Sequence, residues 1–165
     1  MNGPAVKESI VRVADWGAGR GEEAFVTLGL GSCVAIMLHD AQAEVGGMAH
    51  VLLPSRSLAR DASNPAKFPE TAVPFLVEQL RALGADPRRL VAKLAGGASM
   101  FAQLMTPSAV QMGERNLVAT RDALRLAGIP LVAEAVGGQA GRSVRFFVAD
   151  GRVEIRSVGA DVFCI

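Results

Sequence analysis

Short apolar runs separated by glycine or polar residues dominate the first third of the chain. Runs at residues 25–30, 33–38 and 45–53 have the length and composition of β-strands. Gly29 and Gly31 mark the break between the first two runs. The segment His39-Asp40-Ala41 predicts a turn before the third. Strands joined this closely are expected to bring residue 33 and residue 50 to one end of a sheet.

Two stretches show the spacing of amphipathic helices. Residues 70–83 place apolar side chains on one face and end at a glycine, which predicts a helix capped by Thr71 with Pro74 in its first turn. Residues 117–127 predict a second helix, with Asn116 as the N-cap and glycine and proline beyond its end.

The remaining pattern predicts further strands and one long loop. Apolar runs at residues 90–94 and 131–136 each end in a glycine pair, and the Asp150-Gly151 turn signal lies between runs at 144–148 and 153–158. The polar stretch 55–67 predicts a loop, a candidate binding or lid segment. About seven or eight strands and two helices predict an α/β fold with a mixed sheet arrangement.

Composition narrows the class of protein. A chain of 165 residues with 50% hydrophobic and 20% charged residues predicts a single globular domain spanning 1–165. The net charge of +1 and the absence of tyrosine argue against nucleic acid or an anionic membrane as the main partner. With neither a signal peptide nor a run long enough to span a bilayer, we predict a cytoplasmic protein with reduced cysteines.

Cys33 and His50 carry the most informative chemistry. Cys33 follows Gly31-Ser32, and His50 follows the glycine pair Gly46-Gly47 within the third apolar run. A thiol attacks carbonyl carbons as thiolate, and a neighbouring imidazole is the usual base that generates it. The alternative is that Cys33 is an inert buried thiol and His50 a structural histidine. The residues alone leave both interpretations open.

The sequence gives weaker evidence for other functional sites. A metal centre would draw on Cys33, His39, His50 and Cys164, but their spacing matches no short paired-ligand pattern, so we predict no metal. The glycine pairs at 96–97 and 137–138 could hold an anion, although tight turns at strand ends explain them equally well. Arg142 could bind a carboxylate or simply be solvated.

Several separated motifs resemble the CheD family of bacterial chemotaxis, the chemoreceptor glutamine deamidases. They occur in the family's order, at residues 30–34, 46–50, 92–101, 113–116 and 137–142, followed by the closing hairpin. The resemblance implies a catalytic set of Cys33 as nucleophile, His50 as base and Thr27 as the assisting threonine. Ser32 and Gly31 become candidates for the oxyanion site.

The resemblance also implies a fold, a substrate and partners. It predicts mixed β-sheets packed as a sandwich-like core with flanking helices, similar to the catalytic domain of the cytotoxic necrotizing factor toxins. The substrate would be a glutamine on the cytoplasmic helices of a methyl-accepting chemotaxis receptor. The CheC phosphatase is a further expected partner, and no cofactor is expected. The alternatives are a module that only binds receptor or CheC, a receptor methylesterase, and a transglutaminase.

Overall fold

The computed structural model describes residues 5–99 and 112–165, so Met100 and Phe101 at the end of one family motif lie outside the described residues. Within these ranges the chain forms ten strands and two α-helices. In chain order the strands are β1 (Lys7–Ile10), β2 (Trp16–Arg20), β3 (Glu23–Leu30), β4 (Val34–Asp40), β5 (Val45–Val51), β6 (Val91–Gly96), β7 (Leu131–Val136), β8 (Arg142–Phe147), β9 (Val153–Arg156) and β10 (Phe163–Cys164). The helices are α1 (Pro69–Ala82), between β5 and β6, and α2 (Met112–Leu126), between β6 and β7. Neither helix is long and apolar enough to cross a bilayer.

The strands form two mixed sheets of five strands each. Sheet one has the order β1-β3-β8-β9-β10, and sheet two has the order β2-β5-β4-β6-β7. One pair in each sheet is parallel, β1 with β3 and β6 with β7, while the other pairs are antiparallel. The predicted mixed α/β fold is therefore confirmed. Its likeness to the necrotizing factor domain stays a prediction.

Two apolar clusters flank sheet two. One lies between the sheets and joins side chains such as Leu30 and Phe146 from sheet one to Met37 and Met48 from sheet two. The other lies on the opposite face of sheet two, under α1 and α2. Strands β4 and β5 are buried along their whole length, which explains why their sequences are continuous apolar runs. This two-sided burial fixes the frame on which residues 33 and 50 are placed.

The structure corrects the predicted helix starts. Helix α1 begins at Pro69 after Phe68, so Pro74 lies inside the helix and not in its first turn. Thr71 is not the cap, since its hydroxyl donates to the carbonyls of Pro65 and Phe68. Helix α2 already runs from Met112, so Asn116 lies within it and is fully buried. The prediction of Asn116 as an N-cap was wrong because its partners lie in other segments.

Strand predictions were right for seven strands and missed β1, β2 and β10. Strand β2 was missed because its sequence, Trp-Gly-Ala-Gly-Arg, lacks an apolar run. Its glycines permit close packing, since a Cβ on Gly17 would lie 2.5 Å from the Phe25 ring. Strand β4 extends through His39 and Asp40, so the predicted turn begins too early; Asp40 still closes it by accepting from the N–H groups of Gln42 and Ala43.

The loop predicted at residues 55–67 contains two short 3-10 turns, Arg56–Leu58 and Pro65–Lys67. The carbonyl of Lys67 accepts from the N–H groups of Leu52 and Leu53. Strand β5 therefore ends at Val51, two residues before the predicted end. A role of this loop in binding or as a lid stays a prediction.

Candidate active site

Thr27 and His50 meet across the space between the two sheets. Thr27 lies on β3 of sheet one and His50 on β5 of sheet two, and both side chains are buried, with exposed fractions of 1% and 2%. The distance from Thr27 Oγ1 to His50 Nδ1 is 2.8 Å. Thr27 Oγ1 also donates to the carbonyl of Val11 at 2.7 Å. The sequence-based expectation that β3, β4 and β5 share one sheet is thus wrong for β3.

These two hydrogen bonds determine the tautomer of a neutral His50 ring. The single hydroxyl proton of Thr27 goes to the Val11 carbonyl, which can only accept. The oxygen of Thr27 must then accept from His50, so the ring proton lies on Nδ1. Nε2 consequently carries a lone pair, and within the described residues this buried atom has no hydrogen-bond partner. An imidazole held in this way is ready to accept a proton at Nε2.

Cys33 lies on the same face of sheet two as His50. Ala35 on β4 is the register partner of His50 on β5, and Cys33 precedes Ala35 by two residues. Cys33 lies just before the start of β4, so its side chain is placed by the cluster that it contacts and not by strand alternation. Cys33 is half-buried and packs against the cluster between the sheets, which includes Ala35 and Met48. The fold therefore brings both predicted residues to the same end and the same face of sheet two.

The segment leading to Cys33 is held by its carbonyl groups. Ala98 N donates to Gly31 O at 2.8 Å, Gly97 N donates to Cys33 O at 2.9 Å, and the side-chain amide of Asn116 donates to Ser32 O at 2.9 Å. Gly31 and Ser32 are half-buried beside the thiol. Within the described residues, the N–H groups of residues 31, 32 and 33 donate to no other residue. In this part of the chain, no protein acceptor therefore competes with an anion for these groups.

Burial shifts both titrations in the direction that keeps the pair neutral at rest. It raises the pKa of the Cys33 thiol above its ordinary value, and the N–H of Cys33 itself opposes this shift. Burial lowers the pKa of His50, partly offset by the carbonyl of Val11. A buried site disfavours charge on either group. Both shifts therefore favour the neutral thiol and the neutral imidazole.

The other predicted residues have structural contacts. His39 lies on β4, where its Nε2 is 2.7 Å from Val148 O. Cys164 is an exposed free thiol on β10. The guanidinium of Arg142 donates to the carbonyls of Ala135, Gly137 and Ala140 and so closes a loop. A role in binding a carboxylate stays a prediction. Across residues 5–99 and 112–165, no three His, Cys, Asp or Glu side chains gather as a metal site would require.

Sequence reasoning missed Asn116 as a site residue. It lies in the second turn of α2, and its amide reaches both Ser32 O and, at 3.2 Å, Leu52 O. The motif Gly113-Glu114-Arg115-Asn116 stands out in the sequence, but the cap-like pattern around it gives no sign of contact with residue 32. Only the packing of α2 on the β4 and β5 ends reveals it.

Comparison with known proteins identifies the family. The model of the CheD family, described as chemotactic sensory transduction, matches residues 52–157. This range begins just after His50, so the match does not itself include residues 27, 33 and 50. A probable chemoreceptor glutamine deamidase CheD of Caldanaerobacter subterraneus is 44% identical over 82% of this chain and 84% of its own length. A second protein of that name, from Desulforamulus reducens, is 39% identical over 91% of this chain and 90% of its own.

A solved structure shows a more distant likeness. Neisseria meningitidis protein NMB0706, of the DUF152 family, covers 81% of this chain and 65% of its own at 10% identity, with a TM-score of 0.49. That score is too low to support an argument. The two sequence relatives, by contrast, align with 82% and 91% of this chain and with 84% and 90% of their own lengths. This chain belongs to the CheD family.

Proposed function

We propose that this protein is a chemoreceptor glutamine deamidase that hydrolyses glutamine side chains to glutamate and releases ammonia. The relatives named above carry that activity in their names. The structural observation that carries the proposal is the His50 ring, held by Thr27 through Nδ1 with Nε2 left open. Such a ring is a general base, and Cys33 lies on its face of the sheet.

Attack begins with a proton transfer inside the neutral pair. His50 Nε2 takes the proton from Cys33 Sγ, and the sulfur adds to the carbonyl carbon of the glutamine amide. The negative charge that develops on the amide oxygen is stabilised by backbone N–H groups beside Cys33, those of Ser32 and Cys33 itself. An oxyanion donor of this kind is worth about 3–4 kcal/mol of barrier. Gly31 supports the turn that presents these groups.

Collapse of the intermediate expels ammonia. His50 returns its proton to the amide nitrogen, the carbon–nitrogen bond breaks, and a thioester to Cys33 remains. A water molecule then gives a proton to His50 Nε2 and adds to the thioester carbon. The carbon–sulfur bond breaks, the thiol regains its proton from His50, and glutamate is released. Thr27 keeps the ring in one tautomer and orientation through both halves, as the third group does in hydrolytic triads.

No step of this sequence requires a metal or an organic cofactor. The half-buried thiol suits a glutamine side chain that projects from the surface of a receptor helix. Binding of the CheC phosphatase and a cytoplasmic location remain predictions of the resemblance and the composition.

The decisive test uses the cytoplasmic signalling fragment of a chemoreceptor from the same organism. We expect glutamine peptides of that fragment to gain the mass of a deamidation, with one ammonia released per glutamate formed. Cys33→Ala should abolish both signals, since no nucleophile remains. Activity that persists in Cys33→Ala would overturn the assignment of the nucleophile.

The same assay separates the competing functions. A methylesterase would release methanol from a methylated fragment and leave glutamines unchanged. A transglutaminase would attach an added primary amine to the glutamine peptide. A pure binding module would leave all peptide masses unaltered, and Cys33→Ala would bind receptor as wild type does. The names of the relatives do not favour these alternatives.

A further inference from the structure

Asn116 links the segment before Cys33 to the end of the strand that carries His50. Its Nδ2 donates to Ser32 O at 2.9 Å and to Leu52 O at 3.2 Å. Ser32 directly precedes the cysteine, and Leu52 follows the histidine by two residues. The side chain is fully buried. One amide group therefore contacts both the residue before Cys33 and the segment that follows His50.

The orientation of this amide is determined by its partners. Both are backbone carbonyls, which can only accept, so the NH₂ group must face them. The Oδ1 atom is left on the other side, where it is buried and has no hydrogen-bond partner among the described residues. A buried acceptor without a donor is unfavourable for folding. The two donated bonds offset part of this cost, because they satisfy the carbonyls of Ser32 and Leu52.

The bond to Ser32 O also determines where the N–H of Cys33 points. Both groups belong to the same peptide unit, which is planar and trans, so they point in opposite directions. Holding the carbonyl toward α2 therefore turns the N–H of Cys33 away from α2. Among the described residues, this N–H donates to no other residue. It is the donor assigned to the oxyanion in the proposed mechanism.

The helix that carries Asn116 is packed tightly against the loop after β6. A Cβ on Gly113 would lie 2.6 Å from Gly97 O, and a Cβ on Gly97 would lie 2.5 Å from the Leu117 side chain. The same loop donates to Gly31 O and Cys33 O. Asn116 therefore acts from a rigid support, which a positioning residue needs.

We propose that Asn116 is a positioning residue of the deamidase site, one that aims the Cys33 N–H at the oxyanion by holding the Ser32 carbonyl. This role rests on the proposed function. Without the amide, the Ser32–Cys33 peptide can rotate, and the N–H of Cys33 no longer points at the oxyanion. The thiol and the imidazole would keep their own contacts, because Thr27 holds His50 independently. The loss should thus fall on the step that forms the oxyanion.

The test compares Asn116→Ala with Thr120→Val. Thr120 lies one turn further along α2, is fully buried, and donates to Asn116 O within the helix, so its change alters the buried polar face without touching residue 32. We expect Asn116→Ala to lower kcat for receptor-fragment deamidation on the order of 100-fold, with KM unchanged. Thr120→Val should keep the wild-type kcat. All rates are normalised to the folded fraction measured by thermal unfolding.

Alkylation of Cys33 by iodoacetamide supplies the second readout. This reaction needs the thiolate but forms no oxyanion, so its rate in Asn116→Ala should stay close to wild type while deamidation falls. An equal fall in both rates would overturn the proposal, as would an equal loss of kcat in Thr120→Val. Asn116→Ser, which keeps a small polar group, is measured in the same way should the alanine variant fail to fold.

The result also separates this inference from the proposed function. A wild-type protein that does not deamidate the receptor fragment would refute the proposed function itself, and deamidation by Cys33→Ala would refute the assignment of the nucleophile. An inactive Cys33→Ala beside an Asn116→Ala with wild-type kcat would leave that function intact and refute the role of Asn116.

Discussion

His50 Nδ1 and Thr27 Oγ1 are 2.8 Å apart although their residues belong to different sheets. The bond ties His50, the proposed base, to sheet one, while Cys33, the proposed nucleophile, directly precedes β4 of sheet two. Because the hydroxyl proton of Thr27 is used by Val11 O, the threonine can only accept from the ring. The relative position of the two sheets thus enters the chemistry directly.

Thr27→Val should lower kcat by a factor of about 10²–10⁴, because the His50 ring loses the acceptor that fixes its tautomer. Thr27→Ser keeps the hydroxyl and should recover most of the rate. Ammonia release from the receptor fragment measures both variants. Thermal unfolding checks that the valine protein is folded, and a fully active Thr27→Val would show that the hydrogen bond has no catalytic role.

The pH profile of kcat/KM should reflect a neutral resting pair. Burial lowers the pKa of His50, so the rate should rise as pH increases through values below about 6.5, where the ring becomes neutral. Burial raises the pKa of Cys33, so a plateau should extend beyond about pH 8.5. Above it the rate should fall, because a thiolate formed by bulk base leaves no proton on His50 for the ammonia.

A different pH profile would contradict the neutral resting pair. A rate that declines steadily between about pH 7 and pH 8 would indicate a preformed thiolate–imidazolium pair, in which loss of the ring proton ends activity. Iodoacetamide alkylation of Cys33 across the same range gives an independent titration of the thiol.

Gly96→Ala should have two effects: it should strain the backbone at residue 96, and it should displace Cys33. Gly96 has φ of 108°, and a Cβ there would lie 2.2 Å from Cys33 O. Gly84 has the same φ of 108°, but a Cβ on it would meet no atom within 4 Å among the described residues. In both variants alanine must adopt a backbone conformation with positive φ, which costs about 1–2 kcal/mol of stability. Only Gly96→Ala should also lose deamidation, because Cys33 must move.

Chemical denaturation and the ammonia assay, run on both glycine variants, measure the two effects separately. Equal activity per folded molecule in Gly96→Ala and Gly84→Ala would mean that the Cys33 carbonyl tolerates displacement.

Asp40 should make stability sensitive to acid. Its buried carboxylate pairs with Arg89 at 2.9 Å and accepts from Asp86 N at 2.9 Å. Burial raises its pKa, but the hydrogen bonds from Arg89, Asp86 N and Ala43 N outweigh this and lower it to about 2. Since the folded pKa lies below the unfolded value, the contribution is full above about pH 4 and is lost as pH falls through about 2.

Asp40→Asn should therefore cost about 1–3 kcal/mol at neutral pH and weaken the acid dependence in that window. Urea denaturation at neutral and acidic pH measures this change. Asp122, whose carboxylate pairs with Arg125 on the surface of α2, supplies the control: Asp122→Asn should change stability by less than about 1 kcal/mol. A similar effect of both substitutions would contradict the special role of Asp40.

Elements with strong local patterns, and the types of the candidate reactive residues, follow from the amino-acid sequence alone. Strands β3 to β9 follow apolar runs, apart from the unpatterned start of β8, because burial on one or both faces leaves a direct trace in composition. The glycine-flanked Cys33 and His50 leave thiol chemistry open, and the family motifs around them turn it into a specific prediction. Thr27 was found through the resemblance, since a threonine in a strand carries no signal of its own.

The sequence does not reveal which strands share a sheet or what each polar side chain contacts. Strand β3 pairs with β8, more than a hundred residues away, and so faces β5 across the core. Local periodicity reports which face is buried but not which strand covers it. For the same reason Asn116 resembled a cap, although its amide bonds to Ser32 O and Leu52 O. Hydrogen bonds between distant segments depend on packing, and packing is set by the whole chain.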